Sequence, residues 1–336
     1  MKQATRRDAL RLAWGLGAAM GPPLAARAAK PAALHWHETA LLAFGTTVWL
    51  RAAHSDERVA QRGVAAAAAA VQRVDQLMSL FRPDSEIVRL NRQGVLHAPA
   101  EELLRVLRLA RQVAWASGGL FDPTVQPLWQ LWQQATRAQR RPQPAELRAA
   151  LAHVGWQGLH ITPQRIAFNR PGMAITLNGI AQGFAADEAA AALRQHGIEH
   201  ALLQTGEWLP LGQPGSGERW QLGVANPRRA QDVLATIVAD GRAIACSSDD
   251  KMSFSADQRD HHILDPRSGY SPAQLACVVV LAPSCALADA LTKPLFMGSA
   301  AQALALAKHW QVDVVALAKS GHMVASPGVK LQAPSR

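Results

Sequence analysis

The sequence predicts an α+β protein in which mixed sheets and packed helices form one large domain. Helical patterns and short β-rich runs follow one another irregularly along 336 residues, without the strand-helix-strand alternation of a doubly wound sheet. Hydrophobic residues make up 49% of the chain and charged residues 18%, as in globular proteins. This composition excludes an intrinsically disordered chain and a polytopic membrane protein. The length is sufficient for one or two domains with sizeable cores.

The first 28 residues are predicted to be an export signal and not part of the fold. Arg6 and Arg7 stand just before an apolar stretch, residues 12–26, and residues 26–28 form an A-x-A cleavage site. Paired arginines before such a stretch are typical of the twin-arginine route to the periplasm. A membrane anchor is the alternative, but a span needs about 20 apolar residues, and Gly21-Pro22-Pro23 interrupts this run.

The predicted organisation is a signal over residues 1–28, a linker over residues 29–39 and one domain over residues 40–330. Removal of the signal takes away five basic residues and one acidic residue, so the net charge falls from +10 to +6. The remaining positive charges are scattered, without a basic helix or a repeat of basic and aromatic residues. This pattern argues against nucleic-acid binding.

Three cysteines, Cys246, Cys277 and Cys285, limit the thiol chemistry of the chain. Their odd number and the lack of C-x-x-C spacing exclude a zinc knuckle and a framework of several disulfides. One disulfide remains possible in an oxidising compartment such as the periplasm.

Five segments have helical patterns. The first contains six consecutive alanines, the residue type with the highest helix propensity, and ends before Pro83. Gly118 ends the second and Gly197 ends the fourth. The predicted helices cover residues 58–80, 100–117, 144–154, 181–196 and 286–309.

Short runs rich in β-branched and apolar residues predict the strands. One strand is predicted over residues 40–52, a strand pair over residues 165–177 and a last strand over residues 312–318. Between the last two, short strands are predicted near residues 201–204, 220–225, 233–238, 242–246 and 275–282.

Four segments carry more polar residues or glycines than packing alone requires. They are LFRPDSEIVRLN (80–91), GGLFDPTV (118–125), TLNGIAQGFAAD (176–187), and HHILDPRSG (261–269) taken with LADALTK (287–293). In the third, Gly179 and Gly183 would let a phosphate approach the free N–H groups and positive dipole of a helix N-terminus. An ordinary strand-to-helix connection, with glycines that serve packing, is the alternative.

The fourth segment contains candidate metal ligands and a candidate base. Asp289 and Thr292 are three residues apart on a predicted helix, so both oxygens can face one point. Such oxygens are ligands suited to Mg²⁺; a solvated helix face is the alternative. His261 and His262 are adjacent on a predicted strand and must point to opposite faces, so at most one serves a given site.

Together the four segments resemble the ApbE family, the FAD:protein FMN transferases. GGLFDPTV is similar to the family's G-x-F-D-P-T-V, and LFRPDSEIVRLN to its aromatic-[RK]-P-D-S-E-I-x-x-x-N. Residues 262–269 match H-x-x-D-P-x-[ST]-G, and residues 288–291 match A-D-A-L. Each motif alone is weak, but four in the family's order are specific, and the resemblance covers about residues 44–317. The spelling TLNGIAQG, with the paired arginines, is similar to the NosX-like branch, which is associated with flavinylation of a membrane partner in nitrous-oxide respiration.

The resemblance implies an ApbE-type, T-fold-like transferase domain that takes FAD as its substrate and holds the pyrophosphate with Mg²⁺. The positions that match FAD contacts are Phe44, Phe81, Leu120, Phe121, Asp122, Thr176, Gln182 and Leu264. The metal positions are Gly179 through its carbonyl, Asp289 and Thr292, and His262 is the residue expected to assist transfer. The implied partner is an acceptor flavoprotein with an FMN-binding domain, bound to the membrane.

The chain departs from the family pattern at several of these positions. Thr176 and Gln182 replace an Asp and a Lys in the usual D-L-G-G-I-A-K-G, and Glu207 replaces the Asp of a G-G-D. Lys293 stands where the family has a metal-binding Thr, four residues after the Asp. An ammonium group cannot coordinate Mg²⁺, but it is a point charge that can meet a phosphate. The use of Mg²⁺ therefore depends on how Lys293 is placed.

The expected reaction is attack of a Ser or Thr hydroxyl of the acceptor on the FMN-side phosphorus of FAD, with release of AMP. Such transfer depends on positioning and charge neutralisation more than on covalent catalysis, and His262 could take the hydroxyl proton. Two alternatives remain: an FAD pyrophosphatase that uses water, and a non-catalytic flavin-binding assembly factor for nitrous-oxide reduction. Dependence on the acceptor distinguishes the transferase from the first, and FAD that stays intact indicates the second.

Overall fold

The computed structural model describes residues 33–215 and 217–333. The predicted signal, residues 1–28, lies outside the described residues, so its role in export stays a prediction. From Leu34 onward the chain forms one compact unit, in agreement with the predicted α+β class and single domain. None of the helices in the described ranges has the length and apolar character to cross a membrane.

Fourteen strands and eight α-helices form in the described ranges. The strands are β1 (His35–Ala43), β2 (Thr46–His54), β3 (Val95–His97), β4 (Leu159–Ile161), β5 (Arg165–Phe168), β6 (His200–Gln204), β7 (Trp208–Leu211), β8 (Gln221–Asn226), β9 (Arg229–Val238), β10 (Ala243–Ser248), β11 (Leu275–Ala282), β12 (Asp313–Ala318), β13 (Met323–Ala325) and β14 (Leu331–Gln332). The helices are α1 (Glu57–Met78), α2 (Glu86–Gln93), α3 (Glu101–Ala116), α4 (Gln126–Arg137), α5 (Pro144–Leu151), α6 (Ala181–Gln195), α7 (Cys285–Phe296) and α8 (Ala300–His309).

An eight-stranded antiparallel sheet, in the order β1-β2-β6-β7-β10-β11-β12-β13, forms the centre of the unit. Strand β11 reads LACVVVLA, and all of its residues are buried. Val278 and Val280 pack into the core that contains the helices, whereas Val279 and Leu281 pack into a second core with the small sheet β14-β9-β8. A strand covered on both faces needs a continuous apolar run, and this run is the reason that the predicted bounds 275–282 are confirmed.

The predicted strand over residues 40–52 is instead a hairpin of β1 and β2. Phe44 and Gly45 form the two-residue turn, with φ angles of 54° and 74°, and two positive φ angles are what a tight hairpin of type I′ requires. Strand β1 also begins at His35, within the segment 29–39 predicted to be a linker. Apolar residues occur on both sides of the turn, so the sequence pattern was interpreted as one continuous strand.

Two other predicted elements differ from the structure. Of the pair predicted over residues 165–177, only β5 forms, because the Asn91 side chain takes the place of a partner strand. It accepts a hydrogen bond from the Ile175 N–H at 2.7 Å and donates one to the Ile175 carbonyl at 2.8 Å. The helix predicted over residues 286–309 is two helices, because Ser299 caps a new one, α8, through a capping box with Gln302.

The disulfide that the sequence leaves possible is not formed in the described part of the chain, where all three cysteines are free thiols. The sulfur atoms of Cys246 and Cys277 lie 3.5 Å apart on neighbouring strands. Cys246 is opposite Val279 and not opposite Cys277, so the two cysteines are diagonal neighbours. Diagonal positions are farther apart than a disulfide spans without movement of the backbone.

Candidate active site

One cavity of about 320 Å³ brings most of the polar segments together. It lies between the loop of residues 120–125, the start of α6, the end of β10, the residues from Lys251 to Pro266 and the C-terminal half of α7. Its volume is in the range of small-molecule sites.

Most of the predicted site residues meet in this cavity. Asp289 and Thr292 lie beneath its floor, 1% and 0% exposed, and contact the lining residues Lys293 and Ser247. Phe44 and Phe81 are not among the residues that line it. The predicted residues that do line it are Leu120, Phe121, Asp122, Thr176, Gly179, Gln182, His262 and Leu264.

Phe44 and Phe81 lie together at the β1–β2 turn. The Phe81 ring covers Gly45, where a Cβ would approach it to 2.9 Å, and the ring itself is 63% exposed. The Phe44 N–H donates to the buried carboxylate of Asp75 at 2.6 Å, and Arg82 pairs with the same carboxylate. These contacts fix the turn. The flavin contact of both phenylalanines stays a prediction, and neither residue lines the cavity.

A larger and more open depression of about 950 Å³ lies beside α4, around Trp132 and Tyr270. Residues predicted from the sequence for the site do not line it. Its three arginines are already paired, Arg140 with Glu146, Arg141 with Asp260 and Arg259 with Asp257. The smaller cavity is therefore the candidate site.

Asp122 organises one wall of the cavity. Its carboxylate accepts hydrogen bonds from the Thr124 hydroxyl at 2.6 Å, the Thr124 N–H at 2.8 Å and the Trp156 N–H at 2.9 Å. Burial raises the pKa of Asp122, and these hydrogen bonds oppose the rise. Since both carboxylate oxygens are engaged, this side chain positions the loop of residues 120–125.

The glycines of the third polar segment have packing roles. A Cβ at Gly183 would lie 2.3 Å from the Cys285 carbonyl oxygen, so this glycine permits close contact between α6 and α7. A Cβ at Gly179 would lie 2.7 Å from Cε of Lys293. Asp187, at the end of the segment, accepts from the N–H groups of Cys285 and Ala286, the first two residues of α7. Packing and capping thus account for Gly183 and Asp187, whereas Thr176, Gly179 and Gln182 line the cavity.

His261 and His262 have different surroundings. The predicted strand does not form, and His261 makes a single bridge to Ser253. His261 is fully buried and packs edge-to-face on Phe296. His262 is half-buried and lines the cavity, with Nδ1 3.2 Å from the Met252 carbonyl oxygen. A ring nitrogen that faces a carbonyl carries the proton, so Nε2 of His262 is left as the acceptor.

Both histidines are held in the neutral form. Burial lowers the pKa of His262 to about 4, and the positive charge of Lys293 acts in the same direction. Burial also lowers the pKa of His261 to about 4, together with the charge of Lys319. At neutral pH, His262 therefore presents an unprotonated imidazole to the cavity.

A cluster of two carboxyl groups and one ammonium group forms the polar end of the cavity; we refer to Asp289, Glu207 and Lys293 as the carboxyl–lysine cluster. Nζ of Lys293 lies 2.7 Å from Oδ1 of Asp289 and 3.3 Å from its carbonyl oxygen. Oε2 of Glu207 accepts a hydrogen bond from the Cys246 N–H at 2.7 Å. Burial and then the charge of Asp289 raise the pKa of Glu207 well above its usual range, and the charge of Lys293 opposes the rise.

The predicted metal positions do not fit a divalent cation while Lys293 is in place. Mg²⁺ requires a near-octahedral set of oxygen ligands. The Thr292 hydroxyl donates to the Asp289 carbonyl at 2.7 Å, lies 2.8 Å from the Ser247 hydroxyl and is fully buried. Lys293 binds one Asp289 carboxylate oxygen, and a backbone N–H donates to the other. In the described part of the chain, no group of three or more His, Cys, Asp or Glu residues could hold a metal ion.

Several lining residues were not selected from the sequence, among them Trp129, Glu207, Lys251 and Met252. Trp129, on α4, belongs with Leu264 to one apolar cluster, so the cavity has an apolar part that does not include the carboxyl–lysine cluster. Glu207 could have been found, because it occupies a motif position in the resemblance. Trp129 and Met252 are isolated apolar residues in the sequence and carry no such signal.

Comparisons with known proteins identify the family of the chain. The sequence profile of the ApbE family matches residues 44–317. An FAD:protein FMN transferase of Klebsiella pneumoniae is 26% identical over 296 residues, which are 86% of this chain and 91% of that protein. One from Vibrio cholerae is 30% identical over 258 residues, which are 74% of this chain and 77% of that protein.

Solved structures show the same architecture. The flavin transferase ApbE from Vibrio cholerae superposes with a TM-score of 0.75 at 25% identity, over 88% of this chain and 98% of that chain. The ApbE protein from Thermotoga maritima superposes with a TM-score of 0.78 at 26% identity, over 87% of this chain and 97% of that chain. Since the family profile and these structures both cover most of the described residues, the chain belongs to the ApbE family.

Proposed function

We propose that this chain is an FAD:protein FMN transferase, which moves FMN from FAD to a Ser or Thr hydroxyl of an acceptor flavoprotein. The observation that carries the proposal is the cavity, which is apolar at Trp129 and Leu264 and polar at His262 and Lys293. An apolar end suits the isoalloxazine ring, and a cationic end suits the pyrophosphate. Relatives that share the sequence and the fold are named for this reaction.

In the proposed reaction, the acceptor oxygen attacks the FMN-side phosphorus of FAD. A new P–O bond forms, the bond from this phosphorus to the bridging oxygen breaks, and AMP leaves with the electron pair of that bond. The hydroxyl proton passes to Nε2 of His262, which is free to accept because Nδ1 faces the Met252 carbonyl. The negative pyrophosphate raises the pKa of the neighbouring imidazole from about 4 toward the range useful to a base.

The proposal extends to the location and the partner of the enzyme. Paired arginines at positions 6 and 7, followed by an apolar stretch and an A-x-A site, support export by the twin-arginine route. The acceptor is then a periplasmic FMN-binding domain, and we place it on a membrane-bound flavoprotein because of the resemblance to the NosX-like branch. Membership of that branch stays a prediction.

The test incubates the purified chain with FAD and a periplasmic FMN-binding domain, and measures the intact mass of that domain. We expect its mass to increase by one FMN less one water, with one AMP released per adduct. The control is the same domain with its acceptor Ser or Thr replaced by Ala, which should stay unmodified. AMP release at an unchanged rate without any acceptor would instead indicate a pyrophosphatase. FAD that stays bound and intact beside a competent acceptor would indicate an assembly factor.

A further inference from the structure

Lys293 places a fixed positive charge beside the buried carboxylate of Asp289. Asp289 and Lys293 are four residues apart on α7, so they lie on the same face of the helix, and their charged atoms are 2.7 Å apart. The Asp289 side chain is only 1% exposed. A buried carboxylate without a counter-charge is strongly destabilising, so Asp289 depends on a cation at this point.

The ammonium group is held at the floor of the cavity and does not extend freely into solvent. The backbone at Gly179 covers the end of the side chain so closely that a Cβ there would lie 2.7 Å from Cε and 3.3 Å from Nζ. The Lys293 side chain is 22% exposed. Its charge is therefore fixed between α7 and the loop that precedes α6.

The contacts of Lys293 leave it able to bind a ligand. An ammonium group has three N–H donors. Two of them are accounted for by Asp289, through Oδ1 at 2.7 Å and the carbonyl oxygen at 3.3 Å. Because Lys293 also lines the cavity, the third donor is available to an anionic oxygen there.

We propose that Lys293 is the resident cation of this site and that it holds the pyrophosphate of the ligand without a divalent metal ion. The ammonium group of Lys293 would repel a divalent cation bound to Asp289. The Thr292 hydroxyl, the nearest one on α7, already contacts the Asp289 carbonyl and the Ser247 hydroxyl and so is not free to bind a metal ion. A divalent cation at this position would therefore displace Lys293 from Asp289. The identity of the ligand, FAD, rests on the proposed function, whereas the exclusion of the metal rests on these contacts alone.

The first test is metal binding in the absence of flavin. Mn²⁺ is titrated into the purified wild-type chain and followed by electron paramagnetic resonance, with no saturable site expected up to millimolar Mn²⁺. The Lys293→Thr variant should gain one site, because Asp289 then lacks its counter-charge. Lys251→Thr is the matched control: Lys251 also lines the cavity, but it is 70% exposed and lies 3.9 Å from Asp250. The control should gain no site.

The second test is the affinity for FAD, measured by flavin fluorescence in excess EDTA and again in Mg²⁺. For the wild type, we expect the two Kd values to agree within about twofold. For Lys293→Thr, we expect binding in EDTA to weaken by about 10- to 100-fold, because a charge-assisted hydrogen bond is lost, and Mg²⁺ to recover much of it. Lys293→Arg keeps the positive charge, so its affinity for FAD should be the same in EDTA and in Mg²⁺. If Lys293→Thr does not fold, this variant tests whether a side-chain cation replaces the metal ion.

Two results would overturn the proposal. One is a wild-type chain that binds Mn²⁺ with one-to-one stoichiometry and loses FAD in EDTA. The other is a folded Lys293→Thr variant that binds FAD in EDTA as tightly as the wild type. A wild-type chain that binds FAD in EDTA but never modifies an acceptor would contradict the proposed function and still support the role of Lys293, so the two failures are distinguishable.

Discussion

Nδ1 of His262 lies 3.2 Å from the carbonyl oxygen of Met252, and this contact selects the tautomer of the ring. The fixed ring leaves Nε2 as the acceptor within the cavity, while burial keeps it unprotonated. A general base that removes the acceptor's proton contributes on the order of 10²–10⁴ in rate. His262 is therefore a residue whose removal should affect the chemical step more than the binding of FAD.

The His262→Gln variant tests this role. We expect FMN transfer to fall by about 10²- to 10⁴-fold at saturating acceptor, with the Kd for FAD changed much less. The measurement is the single-turnover rate of adduct formation beside a fluorescence titration of FAD. His160→Gln, an exposed histidine on β4, is the control and should transfer at the wild-type rate. Transfer by His262→Gln at that same rate would remove His262 from the mechanism.

The pH profile gives a second measure of His262. Since burial lowers its pKa from 6.5 to about 4 in the free chain, the unprotonated form is already complete at pH 6. We expect kcat/KM for FAD to stay level between pH 8 and 5 and to decline only as pH approaches 4, because kcat/KM reports the free enzyme. A decline centred at pH 6.5 would show an ordinary imidazole and contradict the burial seen here.

At single positions, the sequence predicts which residues reach the cavity better than it predicts what their side chains do there. The order of the motifs predicted that Gln182 and Leu264, which are far apart in the chain, belong to one site, and both line the same cavity. The sequence could not show that both carboxylate oxygens of Asp122 accept backbone hydrogen bonds, from Thr124 and Trp156, because hydrogen-bond partners depend on tertiary packing. Nor could the sequence show that the ammonium group of Lys293 binds the Asp289 carboxylate, which was predicted to be a metal ligand.

At the scale of elements, the contact between α6 and α7 sets the geometry of the polar end. The α6 residue Gly183 meets the backbone at the start of α7, and Asp187 on α6 accepts from the N–H groups of Cys285 and Ala286. The first contact determines how closely the helices approach, and the second fixes where α7 begins. Asp289 and Lys293 follow within α7, so the placement of the carboxyl–lysine cluster depends on this contact.

The Gly183→Ala variant tests this packing. Alanine in a helix is normally more favourable than glycine by about 1 kcal/mol, but here the added Cβ would lie 2.3 Å from the Cys285 carbonyl oxygen. We expect overpacking to outweigh propensity and to lower the free energy of unfolding by about 1–3 kcal/mol. Urea denaturation measures the change. Gly63→Ala, also within a helix, is the control, because its Cβ would first meet the terminal Cδ1 of the Ile198 side chain, which can move, and not backbone. Equal stability of the two variants would contradict the close helix contact.

Elements were predicted well where local pattern determines them and poorly where a distant partner does. The helix over residues 181–196 is confirmed within one residue as α6, since its alanines favour a helix and Gly197 ends it. The hairpin turn at Phe44 was missed because a non-glycine residue with positive φ carries no signal in the apolar pattern. Residues 173–177 look like a strand, but a side chain on α2 pairs with them.

At the scale of the whole molecule, the central sheet is covered on both faces, by helices on one and by the sheet β14-β9-β8 on the other. Two of its inner strands, β10 and β11, are therefore among the most deeply buried elements. The end of β10 supplies Ser247 and Ser248 to the cavity. The site thus rests on a deeply buried part of the fold, and this support favours fixed positions for its charged groups.

The stability of the whole molecule should depend on pH through His261. Its pKa is about 4 in the folded chain, chiefly because of burial, against an ordinary value of 6.5 in the unfolded chain. Between pH 6.5 and 4 the unfolded chain binds a proton that the folded chain does not, so the free energy of unfolding falls as pH falls. The loss is complete near pH 4 and amounts to about 3 kcal/mol. Above pH 6.5 His261 contributes no dependence on pH.

The measurement is the free energy of unfolding by urea at a series of pH values from 8 to 4, for the wild type and for His261→Gln. The variant lacks the His261 imidazole but keeps His262, whose pKa is also lowered to about 4, so its stability should fall less steeply between pH 6.5 and 4, whatever its stability at neutral pH. The shape of the curve separates titration from packing, because lost contact with Phe296 would shift the whole curve by a constant amount. His160→Gln, which removes an exposed imidazole, should follow the wild type. If the His261→Gln curve ran parallel to the wild-type curve, burial of His261 would not be the source of acid sensitivity.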